Sequence, residues 1–340
     1  MKRIVTAVRL LVALAALLTA STAFRAQAQT STTDTTNDAG NGPVVGDGSE
    51  GLAFDGTHLW VASQFGDTLT KIHAATGTVV GTFKVGARPL GVAFDGTHVW
   101  VSSFLDNTVT KLEAGKGAVV GVYPVGNGPG GVLFDGAYVW VANRKSGTVS
   151  KLDARGLLVG TFPVGRRPVS MAYDGSSVWV ANSSSNNVTK LDAASGVALG
   201  TFPVGDGPFG IAFDGTDLWV SNFFSQSVMK LHRLDGALVG TYKTGDGPSA
   251  VFYDKAVGII VVNNGSNNLM QLRQSDGVAV STSATTTGPI NVAFDGTNLW
   301  VVSTGSNRMT VKNTYPSSGT PDASPGVPRT LDTAVVSTTK

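Results

Sequence analysis

The 340-residue chain contains no cysteine and only two glutamates, Glu50 and Glu113. Because no disulfide can form, the fold must be held together by packing rather than by cross-links. Apolar residues at helical spacing are missing throughout residues 50–313, which excludes helical arrays such as ankyrin or TPR solenoids. No glycine-rich run leads into a helical segment, so nucleotide-binding loops and nucleotide cofactors are not expected.

What the chain does contain is a unit of about forty residues that occurs seven times. All six tryptophans occupy the same place in this unit: Trp60, Trp100, Trp140, Trp179, Trp219 and Trp300. The aromatic residue that anchors each unit recurs every 39 to 41 residues, at Phe54, Phe94, Phe134, Tyr173, Phe213, Tyr253 and Phe294. A fixed period of this length indicates a solenoid, a propeller or an array.

Each unit divides into four short β-rich runs, which in the second unit are GVAFD, HVWVSS, TVTKLEA and AVVGVYPV. Asp-Gly separates the first two runs and is a strong hairpin signal, because glycine accepts a positive φ. Four strands make one propeller blade, and a closed ring removes exposed edges between repeats. The sequence therefore predicts an all-β, seven-bladed β-propeller over residues 43–313.

Two units depart from the pattern. The sixth has Ile260 at the tryptophan position and lacks the Asp-Gly turn, so we interpret it as a degenerate blade. The seventh has three clear strands, followed by TYPSSGTPDASPGVPRTL, which is too rich in Pro, Ser and Gly for a fourth. We therefore expect residues 39–45 to pair with the last blade and close the ring.

The N-terminal segment has the pattern of a cleavable secretory signal: basic MKRIVTAVR, apolar LLVALAALLTA and the small-residue site Ala26-Gln27-Ala28. Its apolar run is short for a membrane span, although an uncleaved anchor is an alternative. The predicted organisation is a signal peptide over 1–28 cut after Ala28, a Thr/Asp-rich linker over 29–42, the propeller, and a Ser/Thr/Pro-rich tail over 314–340. This predicts a secreted or periplasmic protein with no membrane span in its mature form.

Cleavage would also reverse the sign of the net charge. Removing residues 1–28 takes away four basic residues, which leaves 21 basic and 23 acidic groups and changes the formal charge from +2 to −2. A nearly neutral domain lacks the overall charge of a nucleic-acid-binding protein. We therefore expect a monomer whose partner is a protein or a cell-envelope ligand rather than a nucleic acid.

The second and third strands carry a family resemblance. The segments WVANRKSGTVSKLDA, WVANSSSNNVTKLDAASG and WVSNFFSQSVMKL resemble YVTN-type propeller repeats and their NHL-like relatives, which occur in exported bacterial and archaeal proteins. The Gly-x-x-Pro turn before each unit is similar as well. The resemblance implies the propeller fold, but such propellers include noncatalytic binding modules and surface proteins, and related folds include lactonases and streptogramin lyases, so fold alone does not choose a function.

The residues that repeat are expected to serve structure. A tryptophan at one strand position in nearly every blade predicts packing between blades. The recurring aspartates of the Asp-Gly turns are predicted to bond the turn backbone. The recurring lysines of the third strand are expected to be solvated; they are Lys71, Lys111, Lys151, Lys190 and Lys230.

An active centre would need residues that break the repeat. His58 and His98 lie in equivalent turns of adjacent units, so they should not bind one ion, and no cluster of Glu and His is found at any spacing. Glu50 is the exception, because it follows the inter-blade turn and could project into the central channel. We predict no catalytic residues, no metal site and no cofactor, with Glu50 kept as a candidate at the pore mouth.

Binding is easier to support, because the inter-blade loops and the second-to-third-strand loops of a propeller gather on one face. Several of these loops carry arginine and aromatic residues, the types enriched in interaction hot spots. The predicted binding residues are Phe65, Arg88, Phe104, Arg144, Lys145, Arg166, Arg167, Phe223 and Phe224. Among them, Arg144, Lys145, Arg166 and Arg167 form a predicted basic sector at blades three and four, beside an aromatic and acidic sector at blades five and six. The alternative is ordinary loop variation.

The sequence thus favours an exported, noncatalytic binding or scaffold propeller. The first alternative is a metal-dependent, lactonase- or streptogramin-lyase-like enzyme with a site in the central channel. The second is a purely structural protein of the cell envelope. A mixed cluster of Asp, Asn, Glu and His at the pore would favour the enzyme, whereas an apolar or glycine-lined pore with a charged, aromatic rim would favour binding.

Overall fold

A computed structural model describes residues 40–313, which form 27 β-strands. The predicted signal peptide, nearly all of the linker and the tail lie outside the described residues. Over residues 40–313 the chain has no helix, and so none that is long and apolar enough to cross a membrane. The strands form seven antiparallel sheets in chain order, which confirms the seven-bladed all-β propeller.

The strands of each blade follow one another along the chain and pair in sequence order. Blade 1 has β1 (Ser49–Phe54), β2 (His58–Ser63), β3 (Thr68–His73) and β4 (Thr78–Lys84). Blade 2 has β5 (Pro89–Phe94), β6 (His98–Ser103), β7 (Thr108–Glu113) and β8 (Val119–Pro124). Blade 3 has β9 (Pro129–Phe134), β10 (Val139–Asn143), β11 (Thr148–Leu152) and β12 (Leu158–Pro163).

The remaining blades repeat this arrangement, except that the last has only three strands of its own. Blade 4 has β13 (Pro168–Tyr173), β14 (Ser177–Asn182), β15 (Asn187–Asp192) and β16 (Ala198–Pro203). Blade 5 has β17 (Pro208–Phe213), β18 (Asp217–Asn222), β19 (Ser227–His232) and β20 (Leu238–Lys243). Blade 6 has β21 (Pro248–Asp254), β22 (Gly258–Asn263), β23 (Asn268–Leu272) and β24 (Ala279–Ala284), and blade 7 has β25 (Pro289–Phe294), β26 (Asn298–Ser303) and β27 (Thr310–Asn313).

The first strand of every blade lies at the centre of the ring. Consecutive first strands contact one another, and β25 also contacts β1, so the ring is closed. These strands approach closely because several have glycine as their third residue: a Cβ added to Gly51 would lie 2.2 Å from the carbonyl oxygen of Leu90. The same distance, 2.2 Å, would separate a Cβ on Gly91 from the carbonyl oxygen of Gly130. Small residues therefore set the narrow bore of the central channel.

The segment before blade 1 takes the place of the missing fourth strand of blade 7. The amide of Gly42 donates to the carbonyl of Met309 at 3.0 Å, and the amide of Met309 donates to the carbonyl of Pro43 at 3.1 Å. A β-bridge joins Val44 to Arg308 beside them. The prediction that residues near 39–45 close the ring is confirmed.

A hydrogen-bonded pair of aspartate and tryptophan recurs in six blades. In blade 3, Asp135 Oδ1 accepts the amides of Ala137 and Tyr138, while its Oδ2 accepts the indole N–H of Trp140. The six indole bonds measure 2.6 to 2.8 Å. Trp140 is fully buried and packs against Val178 and other residues of blade 4. The predicted turn role of the aspartates and packing role of the tryptophans are both confirmed.

The recurring lysines, by contrast, correct our expectation of solvated side chains. All five are buried, between 1% and 8% exposed. Each ammonium lies 4.9 to 5.0 Å from the centroid of its own blade's tryptophan ring. Each also donates to carbonyls in the third-to-fourth-strand turn of the next blade, at 2.7 to 3.1 Å. The long side chain lets the charge cross the seam, so each lysine fastens two neighbouring blades together.

Blade 6 keeps its four strands without this set of residues. Ile260 fills the tryptophan position and is fully buried. Gln271, which stands where other blades have lysine, donates to the carbonyl of Val257 in its own blade at 2.8 Å. A degenerate unit therefore folds as a complete blade without the Asp–Trp–Lys set, with apolar packing at Ile260 and a hydrogen bond from Gln271 in its place.

Candidate functional site

The loop face of the ring opens onto the central channel. At the first position after the inter-blade turn, six blades place a residue on the channel wall: Glu50, Leu90, Val169, Phe209, Ser249 and Ile290. Blade 3 has Gly130 at this position. The next position along each strand is small or amide-bearing, being Gly51, Gly91, Gly131, Ser170, Gly210, Ala250 or Asn291. The channel holds a cavity of about 110 Å³, which is room for several water molecules.

An ion pair spans the channel mouth. Arg144, from the β10–β11 loop of blade 3, places Nη2 2.9 Å from Oε1 of Glu50 on β1. Both side chains are largely buried, at 14% and 17% exposed respectively. Gly130 makes the arrangement possible, because a Cβ there would lie 2.2 Å from Nε of Arg144. The amide of Asn291 adds a 3.4 Å hydrogen bond to the main-chain carbonyl of Glu50.

Two further arginines stand beside this pair in an unusual backbone conformation. Arg88 and Arg167 occupy equivalent positions in two inter-blade loops, with φ angles of 56° and 55°. The other five blades have glycine there, also at positive φ: Gly48, Gly128, Gly207, Gly247 and Gly288. A left-handed conformation costs a residue with a Cβ about 1–2 kcal/mol. Strain of this kind is found at functional sites more often than elsewhere.

The three arginines act on one another electrostatically. Burial lowers the pKa of Arg167, and the positive charges of Arg144 and Arg88 lower it further, whereas the negative charge of Glu50 raises it. Nε of Arg144 is buried and finds no acceptor among residues 40–313. We call Arg88, Arg144 and Arg167 the arginine cluster. It combines three guanidinium groups with the single carboxylate of Glu50.

Aromatic side chains flank the cluster. The ring of Phe104 is contacted by two cations, with Cζ of Arg88 5.1 Å and Nζ of Lys145 4.7 Å from its centroid. On the other side of the mouth, Phe223 lies 6.2 Å from Phe209 and 5.2 Å from Phe224, measured between ring centroids. We call these three phenylalanines the aromatic sector.

The predicted binding residues fall in two groups, one around Phe104 and Arg144 and the other at Phe223 and Phe224, with two exceptions. The guanidinium of Arg166 turns to the carbonyl of Ser184 at 3.1 Å, so this residue does not join the cluster. Phe65 lies against Gly48 in the loop of blade 1 and is half exposed. Phe209 was missed from the sequence because a phenylalanine at the start of a strand suggests core packing. The signal for Arg144 was the glycine at position 130, where other blades carry side chains.

His58 and His98 lie on separate hairpins, as predicted. The rings of His58 and His73 meet edge to face at 5.4 Å within blade 1, and His98 lies in the equivalent turn of blade 2. Burial lowers the pKa of His58, against the attraction of Asp55. Over residues 40–313, no three His, Asp or Glu side chains are grouped closely enough to hold a metal ion.

Comparisons with known proteins show the fold. No protein-family model matches the chain, and no curated protein sequence matches it. A chain of Kuenenia stuttgartiensis hydrazine synthase is similar, with a TM-score of 0.70 and 19% identity, covering 82% of this chain and 99% of that chain. Virginiamycin B lyase from Staphylococcus aureus is also similar, with a TM-score of 0.66 and 15% identity, covering 76% of this chain and 92% of that one. At these identities the likeness shows the propeller fold alone, and the YVTN and NHL-like resemblance stays a prediction.

Proposed function

We propose that this chain is an exported, noncatalytic binding module that recognises a protein partner through its loop face. The observation that carries the proposal is the make-up of the channel and its rim. The channel is lined mainly by glycine and apolar residues, while the rim carries the Glu50–Arg144 ion pair and the aromatic sector. Arginine and aromatic side chains at the edge of a concavity are the residues on which protein interfaces most depend.

Burial and exposure within the rim also support a contact surface. Phe224 is 55% exposed and Phe65 is 49% exposed, so a partner that covers them would remove apolar surface from water. At about 25 cal/mol per Å², covering the exposed half of one phenylalanine contributes on the order of 2 kcal/mol. The cationic side of the rim would then orient the partner, since charges across an interface set specificity and association rate.

The test replaces the aromatic sector by a loop that the protein already uses. In the equivalent loop of blade 4, Ser183 and Ser184 stand where blade 5 has Phe223 and Phe224, so a Phe223→Ser/Phe224→Ser variant should fold normally. Captured proteins from an envelope extract of the producing organism are compared by mass spectrometry. We expect at least one partner bound by the wild type to be lost from this variant.

A matched control removes apolar surface elsewhere. Val79 and Val80, on the outer strand β4, are 48% and 54% exposed, and the Val79→Ser/Val80→Ser variant should capture the same partners as the wild type. If both variants capture alike, or if only the β4 variant loses a partner, the loop face is not the binding surface.

Export and the enzyme alternative have separate tests. Mass measurement of the secreted protein should show a mature chain that begins at Gln29, as a cleavable signal predicts. The enzyme alternative requires a folded-state ion site, so the melting temperature is compared after EDTA and after adding calcium, magnesium, manganese or zinc. A metal-dependent rise would favour a channel enzyme, whereas capture that depends on the aromatic sector favours the binding module.

A further inference from the structure

The arginine cluster has more positive charge than the fold needs. Glu50 accepts one hydrogen bond from Arg144, and Arg88 donates from Nε to Gln64 Oε1 at 3.1 Å. Within the described residues nothing accepts a hydrogen bond from the guanidinium of Arg167 or from Nε of Arg144. Arginine that is partly buried with unused donors is suited to bidentate recognition of an anion.

The backbone gives independent support. Arg88 and Arg167 hold left-handed conformations at a position where all the other blades use glycine. Arginine at this position does nothing for the turn, since glycine makes the same turn five times without a Cβ. The side chains themselves must therefore account for the two departures. Arg88 lies in the loop before blade 2 and Arg167 in the loop before blade 4, so the two loops belong to the blades on either side of blade 3, which supplies Arg144.

We propose that Arg88, Arg144 and Arg167 form an anion site at the channel mouth that takes a carboxylate of an acidic segment of the protein partner, with Glu50 holding that place in the unbound chain. This site rests on the proposed function, and it specifies the chemical group that the channel mouth binds. Glu50 is itself a carboxylate bound by Arg144 at 2.9 Å, so it shows the geometry that a ligand carboxylate would adopt. Phe104, held between Arg88 and Lys145, provides an apolar wall beside the site.

Binding of a labelled hexaglutamate peptide, followed by fluorescence anisotropy at low ionic strength, tests the site directly. Low salt is needed because the attraction between exposed charges is screened over about 10 Å at 0.1 M. Arg88→Gly and Arg167→Gly install the residue of the other blades, so the turn is preserved. Each should weaken binding about tenfold, the loss expected for one charge-assisted hydrogen bond.

Glu50→Gln should change binding in the opposite direction, which a merely structural ion pair would not do. Removing the internal carboxylate frees Arg144, so the hexaglutamate peptide should bind several-fold more tightly. Weaker or unchanged binding by Glu50→Gln would overturn the proposal. Melting temperatures of all variants establish that each is folded before its affinity is compared.

Two further variants separate a built site from general attraction. Gly130→Ala removes no charge, but its methyl group would lie 2.2 Å from Arg144 Nε and so displace that side chain. It should therefore weaken binding as the arginine variants do. Arg155→Ala removes one positive charge from an exposed turn in which Arg155 pairs with Asp153, and it should bind as the wild type does. If Arg155→Ala weakens binding as much as Arg167→Gly, only net charge is being measured and the proposal fails.

Competition identifies the anion. Acetate and citrate should displace the hexaglutamate peptide, whereas displacement by inorganic phosphate at far lower concentration would overturn the carboxylate assignment. Partner capture by the Arg88→Gly/Arg167→Gly variant keeps the two proposals apart. If hexaglutamate does not bind while capture still depends on Phe223 and Phe224, the anion site is wrong and the proposed function stands. If hexaglutamate binds as expected but no captured partner depends on those rings, the anion site stands and the proposed function is wrong.

Discussion

Asp135 is the residue whose replacement tests most directly how a blade is held together. Its carboxylate is 8% exposed and accepts three hydrogen bonds, from the amides of Ala137 at 2.8 Å and Tyr138 at 2.7 Å and from the indole N–H of Trp140 at 2.6 Å. In Asp135→Ala the amide of the exposed Ala137 can turn to water. The indole N–H and the partly buried amide of Tyr138 cannot, and each buried unsatisfied donor costs about 1–3 kcal/mol. We expect the free energy of unfolding to fall by about 3 kcal/mol.

Equilibrium urea unfolding followed by circular dichroism measures the loss, with a lower midpoint and an unchanged slope. Asp276→Ala is the control, because Asp276 sits in an exposed turn and pairs with Arg273 on the surface, so it should cost less than about 1 kcal/mol. A Trp140→Ile chain is the second protein in which to make the same change. Blade 6 shows that isoleucine is tolerated there, since Ile260 fills the tryptophan position without an aspartate partner. A Trp140→Ile chain has no indole N–H at this position, so Asp135→Ala leaves one fewer buried donor without an acceptor. The loss in free energy of unfolding should therefore be at least about 1 kcal/mol smaller than in the wild type. An equal cost in both backgrounds would refute the role assigned to the indole bond.

Two other outcomes follow from the buried polar groups. Lys151→Met keeps the apolar stem but leaves the buried carbonyl of Ala193 without its 2.7 Å donor, so the free energy of unfolding should fall by about 2 kcal/mol; the exposed Lys116→Met should stay within about 0.5 kcal/mol in the same urea assay. Because burial lowers the pKa of His58, the unfolded chain takes up a proton first as pH falls below about 6.5. The stabilisation that neutral His58 contributes is therefore fully present at pH 7.5 and is lost on acidification. The difference in free energy of unfolding between the wild type and His58→Asn should shrink between pH 7.5 and 5.5. A difference that grows over this range would contradict a lowered pKa.

The fold could be predicted from the sequence because the same local signals recur seven times, which gives the number of blades. One Asp-Gly turn or one tryptophan says little, but seven anchors at nearly constant spacing require seven equal blades. Ring closure was also predictable, since the last unit lacks a fourth strand and the residues before the first unit match the end of one. These inferences depend only on period and turn chemistry, which are local properties of the chain.

The lysines show where that reasoning fails. Lys71 and its equivalents stand in a run of mixed polar and apolar residues on the third strand, and a charged residue on a strand is normally solvated. What the sequence does not display is the position of the neighbouring blade, whose carbonyls come within 3.1 Å of the ammonium. A contact between residues 43 or 44 positions apart is visible only when the period is used to align one blade against the next.

The candidate site was predictable in its members but not in its geometry. The departures from the repeat identified Arg88, Arg144, Arg167 and Glu50. Pairing of Glu50 with Arg144 joins residues 94 positions apart, from blades that are not neighbours, and no periodic rule predicts such a contact. The left-handed conformation of Arg88 and Arg167 could have been predicted from the sequence, because glycine at the same place in five of seven loops indicates a positive φ.

The departures at the mouth also depend on one another, which argues against independent loop variation. A side chain at position 130 would displace Arg144, since its Cβ would lie 2.2 Å from Nε. Without Arg144, Glu50 would be a largely buried carboxylate on a wall of mainly glycine and apolar residues, which is costly without a partner. Without Glu50, three neighbouring guanidinium groups would repel one another with no internal counterion. Chance substitution can produce any one of these changes, but Gly130, Arg144 and Glu50 fit one another as a set, and the set leaves a carboxylate bound by arginine at the channel mouth.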